Sequence, residues 1–538
     1  VDTAAQALPR RPAVAASTTT IPRMTLLALG ALVLATVVLH LWGIVGDLPY
    51  APDVDEPTFM GAAVGMLVHH SLDPHWFGHP GSTLIYPSAA LIEVWYLAAK
   101  HLPPFAHPML SIGRELVADP LPFYVIGRLV AAAYGVGSVI ATWLLGRRIL
   151  GDLGGILAAL FLPLTAIVLW YGQIMRTDTS GMFFAVVALW LVFRAMDAGR
   201  RRDWVLTAAA IGLAISSRYI FATLIAPYLV AVVLSVRPTR TAGVVEGSWP
   251  RSIIAPLLAV LVIPITFVLT SPFVLLEVRQ LPIDGSVHPG ADGLSPIGNL
   301  LWYIGTQAPL TLGFAVLAVA AIGVVALVRS HPRPALVLVA YAGSYLVGVS
   351  ASPLHWDRYI IPLVPIVAIF AVAGAQAIGS VLAGVVDRRE RRGGVVAAVV
   401  IIGLLLTPSV ADTAAAVRQH AGPSTRAVAT DWVTQNLPPG SRIAQEISTT
   451  YLPDAPDQVL RVFALADRTL DRYRADGYRY LISTTGIIDR FADQARYPRE
   501  HAFYETLAAT GRLVASFEPG PDRSGQVIRI YDMGTAGG

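Results

Sequence analysis

Two adjacent carboxylates, Asp55 and Glu56, stand in the stretch 51–57 (APDVDEP), just after the first long apolar run of the chain. Carboxylates at a helix start can simply cap it. They can also do chemistry: one as a general base taking a proton from a hydroxyl, its neighbour holding a partner or a metal. Asp55 is the first choice for the base. A second polar stretch, 171–179 (YGQIMRTDT), brings Tyr171, Arg176 and Asp178 between two apolar runs. Arg176 and Asp178 either form a local ion pair and cap, or send Asp178 into the cavity that Asp55 occupies. Arg218, with Tyr219 beside it, falls at the turn between two short apolar runs. An arginine at that depth is costly unless it is hydrated, paired or facing an anion.

Later loops add to this set. Glu277 closes SPFVLLE (271–277), and His288 follows in the same loop. A lone loop histidine is ordinarily solvated, and otherwise a ligand or acid. His355, Trp356, Asp357, Arg358 and Tyr359 run directly into a further apolar segment. Arg358 there either anchors a helix at the headgroups or clamps a lipid phosphate. Trp302, Tyr303 and Trp356 can stack on sugar faces. Arginines that stabilise charge on a departing phosphate, and a carboxylate that activates an incoming hydroxyl, suit a lipid-phosphate leaving group and a carbohydrate acceptor.

The elements that must position these residues are membrane spans. The 538 residues are 55% apolar and only 14% charged, with a mean hydropathy of +0.60, whereas soluble chains carry about 25% charge. A net charge of +4 made of arginine, with Lys100 the single lysine, gives no footprint for nucleic acid and fits a high-GC genome. The absence of cysteine excludes disulfides and thiolate ligands.

With about 20 apolar residues per crossing, spans are read at 24–46, 123–145, 153–171, 179–196, 203–216, 219–235, 252–271, 308–328, 334–350, 359–378 and 394–409. The first, preceded by Arg10, Arg11 and Arg23, is expected to be an uncleaved helix. Arginines gather in alternate turns: Arg147 and Arg148; Arg194 and Arg200 to Arg202; Arg237, Arg240 and Arg251; Arg329 and Arg333; Arg388, Arg389, Arg391 and Arg392. Short basic turns stay on the cytoplasmic side, which puts the N-terminus inside and every candidate residue on the outer side. Residues 83–99 are apolar enough to compete as a span, but counting them would turn every arginine cluster outward, and Glu93 and Pro87 weaken them. The segment is therefore read as surface-lying helix in a long first outer loop, 47–122.

The expected organisation is a cytoplasmic tail 1–23, a polytopic α-helical membrane domain 24–410 with about eleven spans, and a small outer α/β domain 411–538. In the last, 423–436 and 498–510 read as helices, and 442–446, 478–485, 513–518 and 526–531 as strands.

With those residues in place, the chain resembles the membrane glycosyltransferases of the C-type (GT-C) fold that use polyprenyl-phosphate-linked sugars. That group includes the protein O-mannosyltransferases, the lipid A aminoarabinose transferases and the mycobacterial arabinosyl and mannosyl transferases. The resemblance rests on Asp55-Glu56, on GDLGGILAALFLPLTAIVLWYGQIMRTDTSGMFF (151–184), SSRYIFATLIAPYL (216–229) and SPFVLLE (271–277), and on the Arg-Tyr-x-x-Pro unit of DRYIIPLVPI (357–366). It covers 24–410. It implies an inverting transfer with Asp55 as catalytic acid/base, Asp178 approaching it, Glu56 in support, and Arg218 and Arg358, with Arg176, at the donor phosphate. Tyr171, Tyr219, Glu277, His288, Trp302, Tyr303, His355, Trp356 and Tyr359 would line the substrate site. The oligosaccharyltransferase branch holds a divalent metal with a first-loop Asp, a D-x-D pair and a Glu. Here the second loop reads Thr177-Asp178-Thr179, with one acid, so no metal or other cofactor is expected. The expected partners are a polyprenyl-phosphate sugar, a carbohydrate, glycolipid or protein acceptor, and the bilayer, with the protein a monomer in a bacterial plasma membrane. An oligosaccharide ligase or polymerase using lipid-linked donors is one rival reading. A secondary transporter is the other, but it would place its ionisable residues near the midplane in two related halves, and neither feature is evident.

Overall fold

The computed structural model describes residues 21–48, 53, 55–104, 106–235, 249–280, 294–352, 354–386, 391–452 and 458–534. The N-terminal tail 1–20, Arg237, Arg240, His288, Arg388 and Arg389 lie outside them. Helix α1 spans Arg23–Leu41, and three helices of the long loop follow: α2 (Glu56–Val68), α3 (Ser82–His101) and α4 (Ile112–Ala118). Then come α5 (Leu121–Leu160), α6 (Ala166–Gln173), α7 (Asp178–Ala198) and α8 (Arg201–Ser217).

Seven helices among the described residues are long and apolar enough to cross a membrane, or eight if the bent pair Pro296–Leu312 and Phe314–Ser330 counts as one span. Eleven were expected, and the difference has identifiable causes. The second span and part of the third fall within α5, a 40-residue element broken at Gly151, whose φ is 81°. Helix α8 has 17 residues and 219–235 opens with a 3₁₀ turn, Tyr219–Leu224, so neither reaches the length of a full span. Helix α3, at 20 residues, is not among the seven.

The membrane core forms where small residues let backbones meet. Helix α7 buries Gly181, Ala185, Ala188 and Ala195 against α5 and α8. Helices Phe314–Ser330 and Val364–Val386 cross at Gly323 and Gly374, where a Cβ would come within 1.8 Å of Phe370 O or 2.0 Å of Val319 O. Without a hydrophobic drive between helices in lipid, such close contact is what holds them together. A second cluster, Phe59, Met60, Leu84, Ile85, Phe123 and Met175, packs α2 and α3 onto the start of α5. The candidate loops therefore rest on spans and do not hang free.

The C-terminal region is α/β. Strands β1 (Ile443–Glu446), β2 (Val459–Val462), β3 (Tyr480–Thr484), β4 (Arg512–Phe517) and β5 (Ile528–Asp532) form one sheet in the order β2-β1-β3-β5-β4. The first three are parallel, and β5 and β4 are antiparallel to their neighbours. Helix Thr425–Asn436 covers the face of Ile443, Tyr480 and Ile482, and Pro498–Thr510 covers that of Ala444 and Leu481. Covering both faces is what a parallel sheet requires. Four strands and both helices fall where the sequence suggests. Strand β2 does not, because four residues carry too little alternation to separate it from loop. The preceding helix Arg391–Ala421 runs on past residue 410 before the sheet region begins.

Glu446, at the end of β1, is buried and accepts from Leu465 N (3.1 Å), Thr484 N (2.8 Å) and the Tyr504 hydroxyl (2.5 Å). Burial nevertheless pushes its carboxyl up to about 7. A group raised in this way adds stability that is complete below its unfolded value and is lost as pH rises through the folded one. The melting temperature of the C-terminal region should therefore fall between pH 5 and 8, and Glu446→Gln should flatten that slope. An identical slope in both proteins, followed by circular dichroism, would refute it.

Candidate active site

A buried guanidinium joins the acids of the first and second outer loops. Arg176, buried, donates from Nη1 to Asp53 Oδ1 at 2.7 Å and to Asp55 Oδ2. Its Nε lies 3.6 Å from Asp178 Oδ2, and the guanidinium carbon sits 5.7 Å from the centre of the Tyr171 ring. Asp178 turns its other oxygen to Arg218 Nη1 at 2.5 Å. Arg218 in turn lies 5.0 Å from the Tyr359 ring centre, and Arg358 lies 5.6 Å from the same centre. Asp55, Asp178, Arg176, Arg218, Arg358, Tyr171 and Tyr359, scattered over four loops, thus form one cluster.

The two candidate acids differ in access. The Asp178 side chain is 2% exposed, whereas that of Asp55 is 34% exposed. Asp178 is enclosed between two arginines, and Asp55 keeps an open edge from which a hydroxyl can approach.

Glu56 has a different environment. It is fully buried and takes a two-pronged bond from Arg128, Nε to Oε1 at 2.9 Å and Nη2 to Oε2 at 2.8 Å. Met175 N adds 2.7 Å to Oε1, and Arg128 Nη1 reaches the carbonyls of Ile44 (2.7 Å) and Gly46 (3.0 Å). The pair ties the end of α1, the start of α2, α5 and the 174–178 turn to one another. Proline at the second position of α2 and Asp55 at its N-cap start that helix where the two neighbouring carboxylates point apart, one into the protein and one to the cluster.

Within the cluster, Arg358 pairs with no carboxylate among the described residues. It rests on Trp356 (5.0 Å) and Tyr359, and its buried Nε has no hydrogen-bond partner among the described residues. Tyr303 is buried and its hydroxyl donates to Trp356 O at 3.5 Å. Trp302 stacks edge-on with Tyr303 (5.0 Å) and with His355 (4.8 Å). These aromatics line one side of the cluster. Glu277 is exposed at the end of the short helix Pro272–Leu276 and joins none of the bonds above. His288 lies outside the described residues.

One residue was missed in the sequence. His79, in the loop between α2 and α3, presents a buried Nε2 without a partner. Burial, with Arg218 and Arg176 nearby, holds its imidazole well below the ordinary value against the opposing charge of Asp178, so it is neutral and can donate to an anion. Its loop is pinned from beneath: Tyr219 Oη donates to Phe77 O (3.1 Å), Gly81 N to Ser217 O (3.3 Å), and Thr83 Oγ1 bonds Ser217 Oγ (2.7 Å). Gly81, with φ of 63°, makes the turn, and a Cβ there would press on Ile85 and Phe59 at 3.1 and 3.2 Å. Only the dipeptide His79-Pro80 in a Gly-rich loop could have signalled it.

The donor set does not suit a divalent cation. Arg176 already occupies the space between Asp53, Asp55 and Asp178 that such an ion would need, and among the described residues no three His, Asp or Glu gather as ligands.

Residues 102–270 match the family described as dolichyl-phosphate-mannose-protein mannosyltransferase. That segment contains Arg128, Tyr171, Arg176, Asp178, Arg218 and Tyr219, and leaves Asp55 and Arg358 outside. The match covers less than a third of the chain, and it agrees with the resemblance of the sequence to polyprenyl-phosphate-dependent membrane glycosyltransferases of the GT-C fold. No curated protein matches the chain. Among solved structures it is similar to ArnT from Cupriavidus metallidurans in the apo state, at 16% identity and a TM-score of 0.49 over 94% of this chain and 97% of that one. The undecaprenyl phosphate-bound form of that ArnT gives 16%, 0.48 and the same coverage. The oligosaccharyltransferase of Archaeoglobus fulgidus gives 12% and 0.48 over 94% of this chain and 74% of that one. Likenesses this distant assign no activity.

Removing one partner of a buried ion pair strands the other's charge, at about 3–5 kcal/mol. Arg128→Met should accordingly lower the melting temperature sharply in detergent, and adding Glu56→Leu should recover most of it. A single variant that melts like the wild type would show that the pair does not hold the loops.

Proposed function

We propose that the protein is an inverting glycosyltransferase that moves one sugar from a polyprenyl-phosphate donor to a hydroxyl of a cell-envelope glycan, glycolipid or protein. The carrying observation is Arg358, a guanidinium with a buried Nε and no carboxylate, beside the neutral donor His79 and next to Arg218. An unpaired charge at the membrane edge is expensive, and a lipid phosphate relieves the cost. The rest of the reading follows from access. Asp55 takes the acceptor proton from its open edge. The acceptor oxygen then attacks the anomeric carbon as the bond from that carbon to the phosphate oxygen breaks. The bonding pair stays on the phosphate, whose second negative charge is met by Arg358, Arg218 and His79. Asp178 holds Arg218 and Arg176 in place, and Glu56 positions α2 beneath Asp55.

In this reading the chain crosses the membrane eleven times, with the short helices 201–217 and 219–235 counted as crossings, and the cluster and the region beyond 410 face outward. The protein is a monomer of a bacterial plasma membrane, with a tail 1–23, a catalytic domain 24–410 and an outer domain 411–538. A donor carrying an oligosaccharide is the alternative, and the choice of donor separates the two.

The experiment uses purified protein in nanodiscs with a panel of radiolabelled polyprenyl-phosphate monosaccharides and crude envelope acceptors. Asp55→Asn should retain donor binding and lose transfer by about 10²- to 10⁴-fold. Near-normal turnover of that variant would overturn Asp55 as the base, and no release from any monosaccharide donor would favour an oligosaccharide donor or a transporter. Arg358→Gln should weaken donor binding by about tenfold or more, the scale of one charge-assisted bidentate contact. Unchanged affinity would remove the phosphate from that arginine.

A further inference from the structure

The C-terminal region reaches the Trp356 side of the cluster through an arginine. Arg490, in the short 3₁₀ turn Asp489–Phe491 that follows β3, places its guanidinium carbon 5.5 Å from the centre of the Trp356 ring. Its Nε is fixed to Gly486 O at 3.2 Å, and Phe463 flanks it at 5.2 Å. It forms no ion pair among the described residues. Trp356 is therefore contacted by two guanidiniums, Arg490 from the sheet domain and Arg358 from the membrane domain. The Trp356 backbone is held separately, by the Tyr303 hydroxyl on its carbonyl. That bond holds the backbone and does not set the angle of the indole, whose ring meets both arginines.

We propose that Arg490 is a positioning residue of the donor-phosphate site: it fixes the Trp356 ring, and the ring in turn holds Arg358 where a phosphate can reach it. This rests on the donor reading given above. A cation on an aromatic face is favourable and directional, and Arg358 has no carboxylate that could orient it instead. On this account the C-terminal region is part of the donor site as well as a cover over it. Its attachment does not depend on Arg490, because it docks at two other places. His420 stacks on Trp170 with ring centres 3.4 Å apart and bonds Gln173, and Ser424 N donates to Asp47 Oδ1 at 2.6 Å. Loss of Arg490 should accordingly leave the region in place.

The test measures binding of farnesyl phosphate, a short polyprenyl phosphate, to the full-length protein in nanodiscs. Arg490→Gln should weaken binding by up to about tenfold, as expected for one partly desolvated cation–aromatic contact, with the melting temperature unchanged. Arg490→Lys should restore part of the affinity, since it keeps a cation over the ring and loses the Gly486 bond. Trp356→Leu should weaken binding comparably, and the double variant Trp356→Leu/Arg490→Gln should be no weaker than Trp356→Leu alone. Unchanged affinity in Arg490→Gln overturns the proposal. Additive losses in the double variant also overturn it, since they would show Arg490 acting independently of the ring. A wild type that binds no farnesyl phosphate would overturn the donor reading itself, a failure distinct from the other two.

Discussion

The site depends on one buried guanidinium. Arg176 joins the acids of both outer loops, drawing Asp53 and Asp55 from the first towards Asp178 of the second. Without a cation among them, three carboxylates at the membrane edge would repel one another and resist burial. With it they form a network in which Arg218 is the next link and Arg358 the open end. The geometry of every candidate residue follows from how that charge is shared. Asp178 is enclosed because it serves two arginines, Asp55 is open because it serves one, and Arg358 is free of any acid.

This network has to be built on a frame that does not give. Arg128 and Glu56 supply it one layer further in, joining α1, α2, α5 and the 174–178 turn through bonds of 2.7 to 3.0 Å. Neighbours in sequence thus take opposite roles. Asp55 stands at the N-cap position of α2 with its carboxylate turned to the cluster, while Glu56, one residue on, turns inward and is saturated. That split follows from the helix start itself, where consecutive side chains diverge by about 100°.

Much of this was legible in the residues. Acids and arginines at the ends of apolar runs are conspicuous, because each is costly in a bilayer, and the arginine-rich turns put them all on one side. Four of the five strands after residue 440 stand out as strand-like runs, while their order in the sheet does not. What could not be read was pairing across long separations. Glu56 with Arg128 spans 72 residues and Arg176 with Asp55 spans 121, and nothing local marks either. Arg128 lies inside the apolar run 123–145 and is not among the candidates, and Glu56 reads as supporting Asp55. His79 was hidden for the opposite reason: its loop is polar and Gly-containing and looks solvated until Tyr219, Ser217 and Thr83 are seen to pin it down. Eleven apolar runs and the seven or eight long helices part company in a 40-residue helix broken at Gly151 and in helices shorter than a full span.

The C-terminal region shows the same logic at a larger scale. A soluble α/β domain joined by a helix would ordinarily move relative to its neighbour, yet here buried contacts tie it to the membrane domain near the cluster. Asp47 and Ser424, and His420 with Gln173 and Trp170, fasten it beside the end of α1. Arg490 touches Trp356 on the far side of the cluster. On the reading proposed above, a base open on one side and guanidiniums on the other would set nucleophile and leaving group on opposite sides of the sugar, as a single displacement with inversion demands.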